Sequence, residues 1–393
     1  MRTLFIFCIS LSAFFYSFTL NAQQNFAYLY NVENVYRPVS QIYAVTQRAN
    51  RPQESPSLHF IAQFEGIKNE IFNYYYTKSL ADSAYKSRIQ SFVSDTNGLL
   101  KIPLDTAEVA RNTWLVLIPT EDNKKIIPIW LAPAKKFGGS AAYALKRNNQ
   151  QVFNYLASTD TASFVVIPQD TLYTFAYHVD FSPATTPMAA PNPGEMSISD
   201  RVATTRPDTL HFKQEGFYFT QTDTTGLAGY GFRVVSPYFP QTRRIKNFAG
   251  PIRYISTQEE WNELQRSDYS KEALDRFWFR MTQSQELAKK IIRQYYRNVA
   301  NANTLFTGFK EGWKTDQGMI YMLYGAPPQV EILPNGDEKW KYPGKENIAP
   351  IEFVFKRSLN PFSEPYFQLI RNRNYARTHY QVINQWRRGV EVQ

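Results

Sequence analysis

The chain has 393 residues, 16% of them aromatic, with a net charge of +10 and a mean hydropathy of −0.43. That length predicts two or three domains, and 26 Tyr with 29 Phe lean toward strands and exclude a disordered chain. One cysteine, Cys8, excludes a disulfide framework, a cysteine-built zinc site and, once it is removed with a leader, any thiol nucleophile.

Arg2 is followed by an apolar run from Leu4 to Leu20 and then Asn21-Ala22-Gln23. This is the pattern of a secretory signal over residues 1–22, cut after Ala22. An uncleaved anchor is the competing reading, but Ser10, Ser12, Ser17 and Thr19 dilute the run. The expectation is export to the periplasm or the outer membrane, with no transmembrane segment after cleavage. Nucleic acid is then no partner, and the positive charge suits an anionic surface such as lipid head groups or an acidic polymer.

From residue 23 to 250 the signals are strands. Ser57–Phe64 partly alternates, and Thr113–Pro119 and Ile126–Leu131 flank a polar hairpin loop at Glu121–Lys125. Ser163–Ile167, Leu172–Tyr177, Gly216–Phe219 and Tyr230–Val235 continue the series. Two β-sandwich-like modules are predicted, over 23–135 and 136–250. Within the second, Ser182 to Asp208 holds five prolines and reads as an extended, mobile loop.

The character changes at Ile252. Thr257-Gln258-Glu259-Glu260 has capping-box spacing, Ser270 can cap a second helix, and Ser284 to Phe306 carries Ile291, Tyr295, Val299 and Ala302 at helical spacing. The polar side of that third helix, with Lys289, Lys290, Arg293 and Arg297, reads as a solvated face. Strands return at Glu338–Tyr342 and Ile351–Lys356. The fold class is therefore multidomain and β-rich: one or two β-sandwich-like modules, then an α+β domain over 251–393 with three to four helices and a small antiparallel sheet.

One pentapeptide organises this last domain. In Gly312-Trp313-Lys314-Thr315-Asp316, Thr315 suits an N-cap and Asp316 the first turn of a helix. Ile320, Leu323 and Tyr324 give a buried stripe, Gly325 offers a left-handed end, and Pro327 stops the helix. Trp313 is the size of an anchor, and Pro334-Asn335-Gly336-Asp337 reads as a hairpin turn. Every motif residue thus has a structural task. The pentapeptide resembles the signature of the GWxTD domain family. Its flanks, Arg253-Tyr254-Ile255, Phe277-Trp278 and Ile320 to Pro328, are also similar, over roughly Ile252 to Tyr380. Gln317 and Met319 stand where the family more often has basic residues. The resemblance implies an exported protein of a kind common in the Bacteroidota and carries no activity. The helix ending in Tyr-Gly-x-Pro, with a hairpin holding Trp340 and Tyr342, is more faintly similar to the SmpA/OmlA (BamE-like) outer-membrane assembly proteins.

Chemistry is sparse. His59, His178, His211 and His379 are not at metal-ligand spacing and read as strand or surface residues. No hydrolase or phosphate-loop motif is present, so no catalytic, metal or cofactor residue is assigned. The C-terminal tail is the candidate contact surface. Residues 365–390 lack any acid, while Arg371, Arg373, Arg377, Arg387 and Arg388 alternate with Tyr380 and Trp386. The same arginines also suit ion pairs with acids elsewhere in the fold. The functional expectation is a non-enzymatic cell-envelope component with an envelope protein partner, in outer-membrane assembly or secretion. The alternative is an envelope hydrolase or carbohydrate-binding protein whose carboxylates lie far apart in the chain.

Overall fold

The computed structural model describes residues 42–49, 57–64, 69, 71–80, 90–94, 99–120, 127–137, 142–146 and 154–166. It also describes 171–204 except 193 and 195, and 210–389 except 346, 347 and 364. The signal-like segment 1–22 and its cleavage point lie outside the described residues.

The first module is two antiparallel sheets. One orders β1 (Ile42–Ala49), β2 (Ser57–Phe64) and β5 (Leu99–Leu104); the other orders β4 (Gln90–Val93), β3 (Ile71–Thr77), β6 (Trp114–Pro119) and β7 (Ile127–Trp130). The two-residue period decides which side chains meet. Phe72, Tyr74 and Tyr76 of β3 and Leu115 and Leu117 of β6 face Leu100, Ile102 and Leu104 of β5 in one core. Tyr75, Trp114, Val116 and Ile118 point the other way, into a second cluster with Leu80 and Trp130. Short helices α1 (Thr106–Arg111) and α2 (Ala132–Phe137) close the ends, and Asp105 caps α1 through the Ala107 and Glu108 N–H groups.

The second module is also a pair of sheets. A small one orders β13 (Leu210–His211), β10 (Thr161–Val166) and β8 (Ala142–Lys146). A larger one orders β12 (Asp200–Thr204), β11 (Leu172–Tyr177), β14 (Gly216–Gln221), β15 (Tyr230–Val235) and β9 (Tyr155–Ala157). Between them lie Leu156, Ala162, Leu172, Phe212, Tyr218, Phe232 and Val234. Every residue of β14 is buried, because the sheet's other face is covered too. There Phe175, Tyr177, Phe217 and Phe219 meet Phe181 and Phe309, with Phe362 and Tyr366 packed alongside.

The C-terminal domain contains α3 (Ile245–Ile252), α4 (Gln258–Arg266), α5 (Lys271–Thr282), α6 (Gln285–Phe306), α7 (Asp316–Tyr324) and α8 (Ala376–Arg388). Its sheet orders β16 (Gln329–Ile332), β17 (Glu338–Tyr342), β18 (Ile351–Arg357) and β19 (Phe367–Leu369). The local start signals are occupied: Thr257 and Glu260 form a reciprocal capping box, and Ser270 and Ser284 cap α5 and α6. At the centre lies α7, buried from Gln317 through Tyr324. Its free carbonyls are met by side chains of three neighbours. Asn298 of α6 donates to Met322 O at 3.0 Å, Trp386 of α8 to Leu323 O at 2.9 Å and Tyr342 of β17 to Gly325 O at 2.9 Å.

The predicted class holds, β-rich modules followed by an α+β domain with a small antiparallel sheet, and several details change. Among the described residues α3 and α8 join the helices anticipated, having been hidden by weak helical patterns: α3 ends through Gly250-Pro251, and the inward stripe of α8 is Thr378, His379, Val382 and Trp386. His379 is a buried helix residue rather than a strand or surface one. Gly325 takes the positive φ expected of it, +81°, but with ψ −170° rather than the helical value, so it ends α7 without a left-handed helical turn. The segment expected to be a mobile loop contains β12 and is laid against the C-terminal domain: Ala184 N–H donates to Lys314 O at 2.9 Å and Asn372 N–H to Pro187 O at 3.1 Å.

Candidate functional site at the junction of the second sandwich and the helical domain

The site begins where α6 ends. Thr307 Oγ1 donates to Asn303 O at 2.6 Å and accepts the Gly312 N–H at 2.9 Å, while Asn303 Oδ1 accepts the Trp313 N–H at 3.2 Å. The last turn of α6 thereby holds the next turn, Gly312–Lys314, against its own backbone. Glycine is required by that approach: a Cβ on residue 312 would lie 1.9 Å from the Ala302 carbonyl oxygen. A Cβ on Gly318 would lie equally close to the Gly312 oxygen. The two glycines let α6, the turn and α7 touch backbone to backbone.

Each remaining motif side chain is engaged. Thr315 is the N-cap of α7, its hydroxyl accepting from Gly318 N–H at 2.9 Å and donating to Gly312 O at 2.7 Å. Trp313 lies over Gly250, edge-on to Tyr254, and its Nε1–H donates to Glu311 Oε2 at 2.9 Å. Lys314 is 5% exposed and reaches Glu311 at 3.0 Å and Asp180 of the second module. Asp316 receives a two-pronged bond from Arg371, at 2.7 and 2.8 Å, and the Leu369 N–H at 2.8 Å. Arg371 then spans to the Thr185 carbonyl and hydroxyl, at 3.3 and 3.2 Å.

Arg233 of β15 completes the cluster, donating to Phe309 O at 3.0 Å and to Glu311 Oε1 at 3.2 Å. Glu311 therefore sits between two cations. Burial alone would raise its carboxyl pKa, but Lys314 and Arg233, with the bonds from Lys314 and Trp313, outweigh burial and hold it below the usual range. A carboxylate so held stays ionised and accepts hydrogen bonds; it is not a proton donor near neutrality. Burial pushes the neighbouring Lys310 ammonium down. Buried charges are tolerated only with such partners, so the cluster acts as a fastener between chain segments.

Sequence reasoning missed Arg233, Asp180 and Glu311. Glu311 had a local signal, its spacing of three from Lys314; the other two had none. The tail residues divide. Arg371 is in the Asp316 fork. Trp386 is 1% exposed and packs edge-on against Tyr295 at 5.2 Å. Arg387 forks onto Glu260, both bonds at 2.8 Å, and also donates to Ile255 O. These three are internal and withdrawn from the contact surface predicted for the tail; Arg373, Arg377, Tyr380 and Arg388 remain exposed. Gln317, neutral where the family favours a cation, is buried and donates to Glu338 at 3.2 Å.

The fold and this cluster define a class of architecture: a β-sandwich fastened to an α+β domain by a buried, ion-paired turn. Residues 216–388 match the family model of the GWxTD domain. The match opens on β14, so the strands presenting Phe217, Phe219 and Arg233 to the junction lie within the matched stretch. Searches among curated proteins and among solved structures return no match.

Proposed function

We propose that this is a non-enzymatic protein of the cell envelope, exported to the periplasm or the outer membrane, serving as a structural or protein-interaction component in outer-membrane assembly or secretion. The observation carrying this reading is the use made of the family motif. Lys314 and Asp316, its only ionisable side chains, are spent on Glu311 and Arg371 of their own domain and, across the junction, on Asp180, while Arg371 carries the fork on to Thr185, so the motif joins domains. Such a joint suits a scaffold that presents fixed surfaces to a partner. The apolar run at 4–20 and the faint likeness to outer-membrane assembly proteins support the location.

The test is crosslinking in intact cells followed by mass spectrometry. The expected result is a discrete set of envelope proteins joined to exposed lysines, lost when Asp316→Ala loosens the joint. Absence of any envelope partner, together with hydrolysis of a glycan by the purified protein, would replace the scaffold with the hydrolase reading.

A further inference from the structure

We propose that the face formed by α3, the segment leading into it and the solvent side of α6 is a docking surface for an anionic lipid membrane. This inference stands apart from the scaffold reading, because it concerns a different face and is measured on the purified protein. Two stretches of the chain contain no acid at all, 224–258 and 287–310. Each carries five Lys or Arg, together equal to the net charge of +10, and of these only Arg233 and Lys310 belong to the buried junction cluster.

The fold lays these stretches side by side. Asn303 donates to Pro240 O at 3.1 Å and Tyr296 to Phe248 O, with the Phe248 and Tyr296 rings 4.4 Å apart. At about 100° per residue, Lys289, Arg293 and Arg297 lie within about a quarter turn of Tyr296, all on its solvent side. They border the segment 243–247, which is exposed throughout. Lys246, Arg244 and Lys289 have exposed acidic partners in Asp268, Glu215 and Glu286, contacts worth little in water. Arg243, Arg293 and Arg297 are exposed with no acidic partner among the described residues. The first turn of α3 holds no acid and its N-cap no side-chain bond, so the positive end of its dipole adds to the field.

Apolar groups decide between a bilayer and a soluble polyanion. Tyr238 is 50% exposed with Arg243 over its ring at 4.6 Å, and Ile245 is 47% exposed between Arg244 and Lys246. Cations interleaved with an aromatic and an aliphatic side chain match the head-group layer, where charge and partial insertion act together. A soluble acidic polymer gains nothing from Ile245.

The experiment is co-sedimentation with vesicles of phosphatidylglycerol mixed with phosphatidylcholine, and of phosphatidylcholine alone. The wild type should bind only the former, more weakly as salt rises. The variant Arg243→Gln/Arg293→Gln/Arg297→Gln should bind on the order of a hundredfold more weakly, at about fivefold per charge. Arg373→Gln/Arg377→Gln/Arg388→Gln removes the same charge from exposed tail positions and should bind like the wild type. Ile245→Ser should weaken vesicle binding with polyglutamate binding unchanged. Circular dichroism checks that each variant is folded. Equal weakening by the two triple variants, no weakening by the first, or binding to polyglutamate without binding to vesicles would each overturn the proposal.

Discussion

The C-terminal domain meets its two neighbours in different ways. Against the second sandwich it sets the Lys314–Asp180 and Arg233–Glu311 ion pairs, each with its cation buried, an aromatic layer and the backbone bonds of residues 184–187. Against the first, its hairpin offers Ile332 to the Trp114 and Trp130 cluster, places Gly336 beside the Trp130 ring, and lays Arg357 over that ring at 4.9 Å. Among the described residues the first junction is an apolar contact with a cation–π pair from Arg357, tolerant of small shifts. The second needs several charges satisfied together, and losing one partner strands another in a poorly solvated place. The difference marks where the structural unit ends: the family match includes β14 and β15, the strands facing the demanding junction, and nothing from the first sandwich.

The comparison breaks most sharply at the fork. Arg371→Ala leaves the Asp316 carboxylate buried without its cation and should cost ~3–5 kcal/mol, read from the urea midpoint of the C-terminal transition. Asp316→Ala combined with it should cost far less than the two separate losses added. An Arg371→Ala protein with unchanged stability would show that the fork through which Arg371 reaches Thr185 does not hold the junction.

Acid should separate the two ends of the molecule by a somewhat smaller amount. His379 is enclosed by α8 and Tyr324, with Nδ1 at 3.4 Å from the Tyr324 hydroxyl, and burial lowers its pKa from 6.5 to about 4. Above pH 6.5 it is neutral folded or unfolded, and its packing is fully stabilising. As pH falls from 6.5 toward 4 the unfolded chain takes the proton first, and stability drops by up to about 3 kcal/mol. Thermal unfolding across that range should show the C-terminal transition moving down, and His379→Gln should flatten the dependence. An unchanged slope in that variant would remove His379 as its source.

The smallest effect belongs to the lighter junction. Arg357→Met keeps the length of the side chain but removes the cation from the Trp130 ring and from the Phe367 ring of its own domain, and should cost ~0.5–1 kcal/mol in the same urea measurement. A loss as large as that of Arg371→Ala would erase the distinction between the junctions.

What could be read beforehand follows from range. Strand signals at 172–177 and 216–219, and the caps at Thr257, Ser270 and Thr315, act over one to four residues and were visible in the local sequence. The fastening contacts span the chain: Asp316 and Arg371 are 55 residues apart, Glu260 and Arg387 127, Asp180 and Lys314 134. No local pattern joins such residues. The tail therefore looked uncompensated, although its acids were supplied from α4 and α7. Helix α8 stayed hidden because its inward stripe includes threonine and histidine, and α3 because Gly250-Pro251 reads as a break.

The docking of residues 181–187 also has a consequence in time. Thr185 is bound by Arg371, 186 residues further on, and the Phe175, Tyr177, Phe217 and Phe219 face is covered by Phe309 and Phe362. During synthesis the sheet emerges long before its cover does. A chain folding from its N-terminus would carry an open aromatic surface until nearly the last residues appear, a state prone to association. Folding that begins only after the whole chain is released closes that interval.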